Sequence, residues 1–315
     1  MYRLAGVAEF AARRLAGEYE LDQFGFDPEL NATVLMPAAL ALYRQWFRVR
    51  MRGLDRVPPE GAALVVANHS GVLPLDAIML QAGLFADHPA HRPLRLLGAD
   101  LVYEIPGLGR IARSSGHARA DPESAAALLK AGHLVGVFPE GYKGTGKPFS
   151  ERYQLQRFGR GGFARTAISA GVPIIPCAIV GAEEIYPMIG NARPAARLLG
   201  LPYFPVTPLF PWLGPLGAVP LPSNWIIEFC DPVSPRGWGG NGRTARGAAD
   251  AGAAAGDAAA DGDGAADGDG TADGDGTAGS RADGEAAVDE LAAQVRDTIQ
   301  AKLDELLAER GPAFG

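Results

Sequence analysis

The sequence is poor in cysteine, and it lacks an uninterrupted apolar run of about 20 residues, the length that a helix needs to cross a bilayer. Its two cysteines, Cys177 and Cys230, lie in apolar strand-like runs without the spacing of a metal site. We therefore expect two reduced thiols in the core. The N-terminal segment also lacks the apolar centre of a signal peptide, which predicts a cytoplasmic protein.

The chain has no general excess of basic residues. Its formal net charge is −7, but residues 250–285 hold ten acidic residues and one basic residue. That segment contributes −9, so the remainder of the chain carries only +2. Because a nucleic-acid-binding protein needs a clearly basic face to neutralise phosphates, the sequence argues against nucleic acid as a partner.

Large apolar side chains are absent from residues 245–286, which consist mainly of Ala, Gly, Asp and Thr. Such a segment cannot bury enough apolar surface to offset the entropy of ordering, so we predict a disordered insert over residues 241–286. The next segment, residues 287–311, places apolar residues at three- and four-residue steps, which predicts an amphipathic helix docked on the core. The apolar positions are Val288, Leu291, Val295, Ile299, Leu303 and Leu306.

Two segments have a composition compatible with a membrane surface. Val34–Gly53 has an apolar first half followed by arginines mixed with Trp46 and Phe47, which is typical of a helix at a lipid headgroup boundary. Leu198–Ile227 has no charge but contains seven prolines, which exclude a continuous spanning helix. For both segments, packing against the protein's own core is an equally good interpretation. The arginines are Arg44, Arg48, Arg50 and Arg52.

Apolar, β-branched runs alternate with helical patterns through the middle of the chain. The predicted strands are residues 62–69, 93–98, 133–138, 172–181 and 224–233. The predicted helices are residues 75–85, 121–132 and 161–171. Strands separated by helices of about ten residues predict an α/β fold, with a layered, mostly parallel mixed sheet flanked by helices. We assign residues 57–240 to this domain, and residues 1–56 to a membrane-proximal segment of amphipathic helices.

A histidine and an aspartate stand at the end of the first strand. His69 directly follows the strand, and Asp76 lies seven positions later as the expected N-cap of the next helix. An imidazole oriented by a carboxylate can take a proton from an alcohol. A structural role for this pair is an open alternative. Ser70 lies beside His69, but the chain has no Gly-x-Ser-x-Gly elbow, which argues against a serine hydrolase.

The segment from Gly141 to Lys147 has the spacing of a nucleotide-binding P-loop up to its lysine. Pro148 then stands where a serine or threonine would ligate magnesium, and it supplies neither a hydroxyl nor an N–H group. We interpret this match as chance.

Four sequence blocks resemble the glycerolipid acyltransferase family, which includes the 1-acylglycerol-3-phosphate acyltransferases. The blocks are Asn68-His69 with Asp76, Gly116 with Arg119, Phe138-Pro139-Glu140-Gly141, and Val172-Pro173-Ile174. The resemblance as a whole covers roughly residues 50–235. The chain departs from the family pattern in having six residues between His69 and Asp76 where the family usually has four. It also has Tyr142-Lys143 where the family often has Thr-Arg.

The resemblance implies an acyltransferase of phospholipid biosynthesis. His69 would act as general base, and Asp76 would orient it; acyl-CoA or acyl carrier protein would donate the acyl group to a glycerol-phosphate-type or lysophospholipid acceptor. Glu140 and Gly141 would position the glycerol moiety and order the pocket, while Arg119 and Lys143 would meet phosphates. The resemblance implies no metal and no bound cofactor. It gives supporting roles to Asn68, Ser70, Phe138 and Pro139.

The same resemblance predicts a peripheral protein on the cytoplasmic side of the membrane, with the lipid acceptor and the acyl donor as its partners. Two alternatives come from other functional classes. The lengthened loop between His69 and Asp76 would fit a lipid-binding protein that keeps the fold without the chemistry, and a short contact between the two side chains would instead favour the enzyme. A nucleotide-dependent kinase or ligase would require the segment 141–147 to bind ATP.

Overall fold

The computed structural model describes residues 4–71, 73–235 and 275–312. Over these residues a seven-stranded sheet has the strand order β1-β9-β6-β2-β5-β3-β4, and a separate two-stranded hairpin joins β7 to β8. All pairings within the large sheet are parallel except that of β6 with β9. The strands are β1 (Arg50–Arg52), β2 (Ala63–Ala67), β3 (Leu94–Gly98), β4 (Ala118–Arg119), β5 (Leu134–Val137), β6 (Ile174–Val180), β7 (Gly190–Asn191), β8 (Pro205–Val206) and β9 (Ile226–Phe229).

Helices cover both faces of this sheet, so the predicted α/β fold with a mostly parallel mixed sheet is confirmed. The helices are α1 (Leu4–Leu15), α2 (Pro28–Leu30), α3 (Met36–Ala41), α4 (Leu75–Asp87), α5 (Asp100–Glu104), α6 (Leu108–Ser114), α7 (Pro122–Lys130), α8 (Tyr142–Thr145), α9 (Gly162–Ala170), α10 (Arg193–Leu199) and α11 (Asp275–Arg310). The described helices contain no segment that is long and apolar enough to span a bilayer.

The central strands are apolar on both faces because both faces are covered. In β2, Val65 points to a core formed with α3 and α4, whereas Leu64 and Val66 point to a core formed with α7, α9 and α11. A strand buried on both sides reads as a continuous apolar run without alternation, which is why β2, β5 and β6 are recognisable in the sequence. The two cysteines are buried and unpaired, as expected.

The C-terminal helix α11 packs on β6 and α9, as its apolar spacing predicts. Its Gln300 accepts a hydrogen bond from the backbone N–H of Leu155 at 2.9 Å and donates to the carbonyl of Tyr153 at 2.9 Å. Arg310, near its end, contacts Glu184 at 2.6 Å. The helix begins at Asp275, so residues 275–286 are helical rather than disordered as predicted; the predicted insert otherwise lies outside the described residues. This stretch contains three alanines and three glycines, so it extends the helix that is anchored downstream without a helical preference of its own.

The prediction of a helix throughout Val34–Gly53 is wrong in its second half. Helical backbone of α and π type continues from Pro28 to Trp46, and Arg50–Arg52 then form the edge strand β1, parallel to β9. Phe47 is fully buried against Trp225, with ring centroids 4.6 Å apart. Arg52 forms two hydrogen bonds with Glu309 of α11. The protein's own core therefore holds Tyr43 and Phe47, whereas Trp46 is 38% exposed. Strand β1 belongs to the sheet although it lies within the segment 1–56.

Candidate active site

Three neighbouring parallel strands bring the candidate site residues to one edge of the sheet. Strand β2 lies between β6 and β5 and is parallel to both. Their carboxyl ends therefore meet, which is where open α/β sheets usually bind ligands. His69 follows β2, the turn Phe138–Gly141 follows β5, and Glu183 follows β6.

The side chains of His69 and Asp76 are in direct contact despite the six intervening residues. The Nδ1 atom of His69 lies 2.7 Å from Oδ2 of Asp76. That oxygen also accepts from the backbone N–H of Ser70 at 2.9 Å, and Oδ1 accepts from the N–H of Ala77 at 2.8 Å. The prediction that Asp76 caps the helix is wrong, because Pro74 is the N-cap and Asp76 lies in the first turn of α4. From there its carboxylate turns back to the end of β2.

The environment of His69 fixes both its tautomer and its charge preference. A carboxylate can only accept, so Nδ1 carries the proton shared with Asp76, and Nε2 is left as the basic atom. The side chain is 17% exposed. Burial disfavours the imidazolium, but the charge of Asp76 and its hydrogen bond outweigh this effect, so the pKa of His69 is raised. Such an imidazole can accept a proton through Nε2, and its cation is stabilised once formed.

Glu140 connects two loops of the site through hydrogen bonds to their backbone. Its side chain is fully buried; Oε1 accepts from the backbone N–H of His69 at 2.9 Å, and Oε2 accepts from the N–H of Gln156 at 2.8 Å. Both carboxylate oxygens thus accept hydrogen bonds from backbone N–H groups. This geometry agrees with the expected role in ordering the pocket, but it leaves no exposed carboxylate for direct contact with a glycerol moiety.

Lys147 and Glu183 form a buried ion pair that the sequence interpretation did not include in the site. The Nζ atom of Lys147 lies 2.9 Å from Oε1 of Glu183 and 3.8 Å from Oε2 of Glu140, and it donates to the carbonyl of Gln154 at 3.1 Å. Burial raises the pKa of Glu183 to about 7, and Lys147 opposes this shift. The sequence signal that could have identified Glu183 is its position shortly after the buried strand β6. The carboxyl ends of β6 and β2 are neighbours, so a side chain there lies close to His69.

This ion pair also argues against the nucleotide-binding alternative. The lysine of a P-loop must reach the phosphates of a nucleotide. The side chain of Lys147 is only 4% exposed and is committed to Glu183, and the backbone from Tyr142 to Thr145 forms the single helical turn α8. The resemblance of residues 141–147 to a phosphate loop is therefore accidental.

The supporting residues of the first and third blocks shape the walls around His69. Asn68 donates to the carbonyl of Ile179 at 3.0 Å and accepts from its N–H at 2.7 Å, which ties β2 to β6 beside the site. The ring of Phe138 packs on His69 with centroids 4.6 Å apart. Ser70 is buried, and its hydroxyl has no partner among the described residues. Pro139 is half-buried beneath the turn.

The proposed phosphate-binding residues are exposed side chains on α8 and at the end of β4. Lys143 is exposed on α8, shortly after Gly141, whose φ of 53° and ψ of −140° favour glycine. Arg119 ends β4 at the same edge of the sheet, three strand spacings from β2, or ~14 Å between strand axes. Its guanidinium is 59% exposed and lies 3.5 Å from Asp100 and over the ring of Tyr103. The structure thus brings together His69, Asp76 and Glu140, while Arg119 and Lys143 stand at the rim.

Comparisons with known proteins agree with this architecture. A family model described as Acyltransferase matches residues 48–180. An uncharacterized protein of Mycobacterium tuberculosis is 54% identical over 230 residues, covering 73% of this chain and 64% of that protein. The human protein described as DGAT1/2-independent enzyme synthesizing storage lipids is 28% identical over 165 residues, covering 52% of this chain and 50% of the human protein. The chain thus spans less than two thirds of the length of these relatives.

A solved structure shares the fold. The crystal structure of the 1-acyl-sn-glycerophosphate acyltransferase from Thermotoga maritima superposes with a TM-score of 0.51 at 17% identity, covering 87% of this chain and 78% of that one. At this identity the likeness concerns the fold alone. The family model falls on β1 to β6, the strands that build the edge described above, including His69, Asp76 and the Phe138–Gly141 turn. Residues 48–180 therefore match the Acyltransferase family, which confirms the predicted resemblance to acyltransferases.

Proposed function

We propose that the protein transfers a fatty acyl group from a thioester, acyl-CoA or acyl carrier protein, to a hydroxyl of a glycerol-phosphate-type or lysophospholipid acceptor. The observation that carries the proposal is the 2.7 Å contact between Nδ1 of His69 and Asp76, which leaves Nε2 as a base at the carboxyl edge of the sheet. An acyl transfer from a thioester to an alcohol requires such a base, because a neutral hydroxyl is a poor nucleophile.

The chemistry follows from these atoms. Nε2 of His69 takes the proton of the acceptor hydroxyl as its oxygen bonds to the thioester carbonyl carbon. Asp76 stabilises the imidazolium that forms. When the tetrahedral intermediate collapses, the C–S bond breaks, and the leaving thiolate takes the proton from His69. The products are an ester and a free thiol, and His69 returns to its starting tautomer, so no covalent bond to the protein is needed.

The remaining residues contribute position rather than proton transfer. Glu140 fixes the backbone of His69 at 2.9 Å, so the imidazole is presented from a rigid strand end. Arg119 and Lys143 would meet phosphates of the acceptor or of the donor, since both side chains are exposed at the rim of the same sheet edge. A lipid acceptor also implies a peripheral protein working at the cytoplasmic surface of the membrane.

The alternative of an inactive lipid-binding protein predicts side chains of His69 and Asp76 that point apart. Instead, Asp76 accepts from three donors at 2.7 to 2.9 Å, one of them His69. The contact with His69 is what distinguishes Asp76, because a buried carboxylate whose hydrogen bonds come only from backbone N–H groups, as those of Glu140 do, is no sign of catalysis. This arrangement favours the enzyme.

The test is acyl transfer by the purified protein and by its His69→Gln variant, using acyl-CoA with a panel of lysolipids and identifying the products by mass. We expect the variant to lose about 10²- to 10⁴-fold in kcat, the usual contribution of a general base, while it still unfolds cooperatively. The matched control is His133→Gln. His133 directly precedes β5 and so lies at the amino ends of the strands, away from the site, and its substitution should leave kcat unchanged. Full activity of His69→Gln would refute the proposal.

A further inference from the structure

The segment between residues 189 and 216 exposes several large apolar side chains. The hairpin β7–β8 and helix α10 form a module with the turn that follows them, in which the rings of Phe204 and Phe210 pack with centroids 5.4 Å apart. We call its exposed residues the apolar face; Leu198 is 86% exposed and Trp212 is 72% exposed. The members of the apolar face are Ile189, Leu198, Leu199, Trp212, Leu213 and Leu216. Exposure of several large apolar side chains in one region marks an interaction surface.

The charge of this module has a single sign. Residues 185–227 contain no acidic residue, and their only charged side chains are Arg193 and Arg197. Both arginines are exposed on α10, four positions apart, and therefore on one side of the helix. Arg197 directly precedes Leu198 and Leu199. Apolar side chains beside arginines on a short amphipathic element are typical of a surface that meets anionic lipid headgroups.

The module is attached to the loop that follows the Phe138–Gly141 turn. The backbone N–H of Phe149 donates to the carbonyl of Met188, immediately before the hairpin, at 2.8 Å. From the module, Tyr203 hydrogen-bonds to Thr145 and packs so closely on Gly146 that a Cβ there would lie 3.2 Å from its ring. A surface that holds the module at a membrane would therefore also hold the loop after Glu140 near that membrane.

We propose that the apolar face docks on a bilayer that contains anionic phospholipids, with Trp212 and the leucines entering the headgroup boundary and Arg193 and Arg197 meeting lipid phosphates. This proposal deepens the proposed function, because it assigns the surface from which a lipid acceptor would reach His69. It differs from the expectation for Val34–Gly53, whose Phe47 is buried in the core.

Other occupants fit the apolar face less well. Residues 236–274 of the same chain contain one large apolar side chain, Trp238, which cannot cover a face with six. A second copy would place two positive faces against each other, bringing four arginines together without an acidic partner in the module. Like charges opposed across an interface are destabilising. An anionic bilayer satisfies both the apolar and the charged side chains.

The experiment is co-sedimentation of the full chain with vesicles of phosphatidylcholine, with and without phosphatidylglycerol. We expect the triple variant Trp212→Ala/Leu213→Ala/Leu216→Ala to bind both kinds of vesicle at least about tenfold more weakly, from the lost apolar burial. We expect Arg193→Gln/Arg197→Gln to bind anionic vesicles about thirtyfold more weakly and to leave binding to pure phosphatidylcholine unchanged. The matched control is Ile111→Ala, an exposed isoleucine of α6 outside both the apolar face and the segment 1–56, which should bind like wild type.

Three outcomes would overturn the proposal: absence of vesicle binding by wild type, an effect of Ile111→Ala larger than that of the triple variant, or wild-type binding by both multiple variants. A change of oligomeric state in the triple variant without vesicle binding by wild type would assign the apolar face to a second copy. Acyl transfer to a dispersed short-chain lysolipid separates this question from the proposed function. The triple variant should keep that activity and lose activity only on vesicle-bound acceptor.

Discussion

The contact between His69 and Asp76 makes Asp76→Asn the most informative substitution in this protein. The wild-type carboxylate accepts from three donors, with Oδ2 receiving Nδ1 of His69 and the N–H of Ser70, and Oδ1 receiving the N–H of Ala77. An asparagine has one oxygen and one NH₂ group. If the oxygen keeps His69 and Ser70, the NH₂ group faces the buried N–H of Ala77. One unsatisfied donor costs about 1–3 kcal/mol of unfolding free energy.

The opposite orientation of the substituted amide would disable the base. An NH₂ group facing Nδ1 would force the proton of His69 onto Nε2, the atom that must accept the proton of the alcohol. In the serine-protease triad the corresponding change lowers kcat about 10⁴-fold through the wrong tautomer. For the present site we expect a fall between about 10² and 10⁴, because the asparagine can populate both orientations.

The pH dependence gives a second readout with a definite sign. Protonated His69 cannot act as a base, so kcat/KM falls as pH drops through its pKa. In wild type burial opposes the charge, but Asp76 raises the pKa above its ordinary value, which places this fall at a higher pH than for a free imidazole. Without the negative charge of Asp76 the effect of burial remains, so the acidic limb should move to lower pH.

The assay is kcat/KM for acyl transfer as a function of pH, for wild type and Asp76→Asn, with thermal unfolding to verify the fold. A lower kcat/KM for Asp76→Asn, with the acidic limb of its pH profile at lower pH than in wild type, supports the roles assigned to His69 and Asp76. A limb that stays in place or moves to higher pH would contradict the claim that Asp76 raises the pKa of His69. Unchanged kcat would refute the orienting role itself.

Two further substitutions test the walls of the site. Lys147→Met should lower the unfolding free energy little below pH ~7, where Glu183 is protonated without a partner, and by up to about 3 kcal/mol as pH rises above it. The loss grows gradually because Lys147 lowers the pKa of Glu183 in wild type, so that pKa is higher in the variant. Urea denaturation over this pH range measures the loss, and a loss independent of pH would contradict the assignment. Gly144→Ala should cost about 1–3 kcal/mol and reduce activity, because its Cβ would lie 2.7 Å from Cβ of Glu140. Gly162→Ala, with open space at the Cβ position, is the matched control for both measurements.

The sequence predicted those parts of the structure that depend on local pattern. The buried strands β2, β5 and β6 read as apolar runs, and α7 is marked by Asp121, whose side chain caps its first turn. The strand order that brings the ends of β2 and β5 together was not predicted from these elements, so only the family resemblance placed His69 near the Phe138–Gly141 turn. The contact of His69 with Asp76 could only be anticipated through the family resemblance, because the lengthened loop has no pattern that fixes its path.

The parts that were predicted wrongly depend on partners distant in the chain. Arg50–Arg52 form a strand because they pair with the open edge of β9, more than 170 residues later in the chain. The helical pattern that runs up to Trp46 gives no indication of this pairing. Lys147 was considered only as the lysine of a chance P-loop match, because its partner Glu183 follows a different strand. In both cases the deciding interaction joins segments that no local periodicity connects.

The loop from Gly71 to Pro74 has a consequence for how this site could diversify. Its two ends are fixed, one by the end of β2 and the other by the first turn of α4, and among the described residues the donors to the Asp76 carboxylate lie at these ends. Between them Gly71 adopts a φ of 85° and Leu73 is 44% exposed. Gly71 is therefore a constrained position of this turn, whereas exposed Leu73 can be exchanged without disturbing the contact between His69 and Asp76.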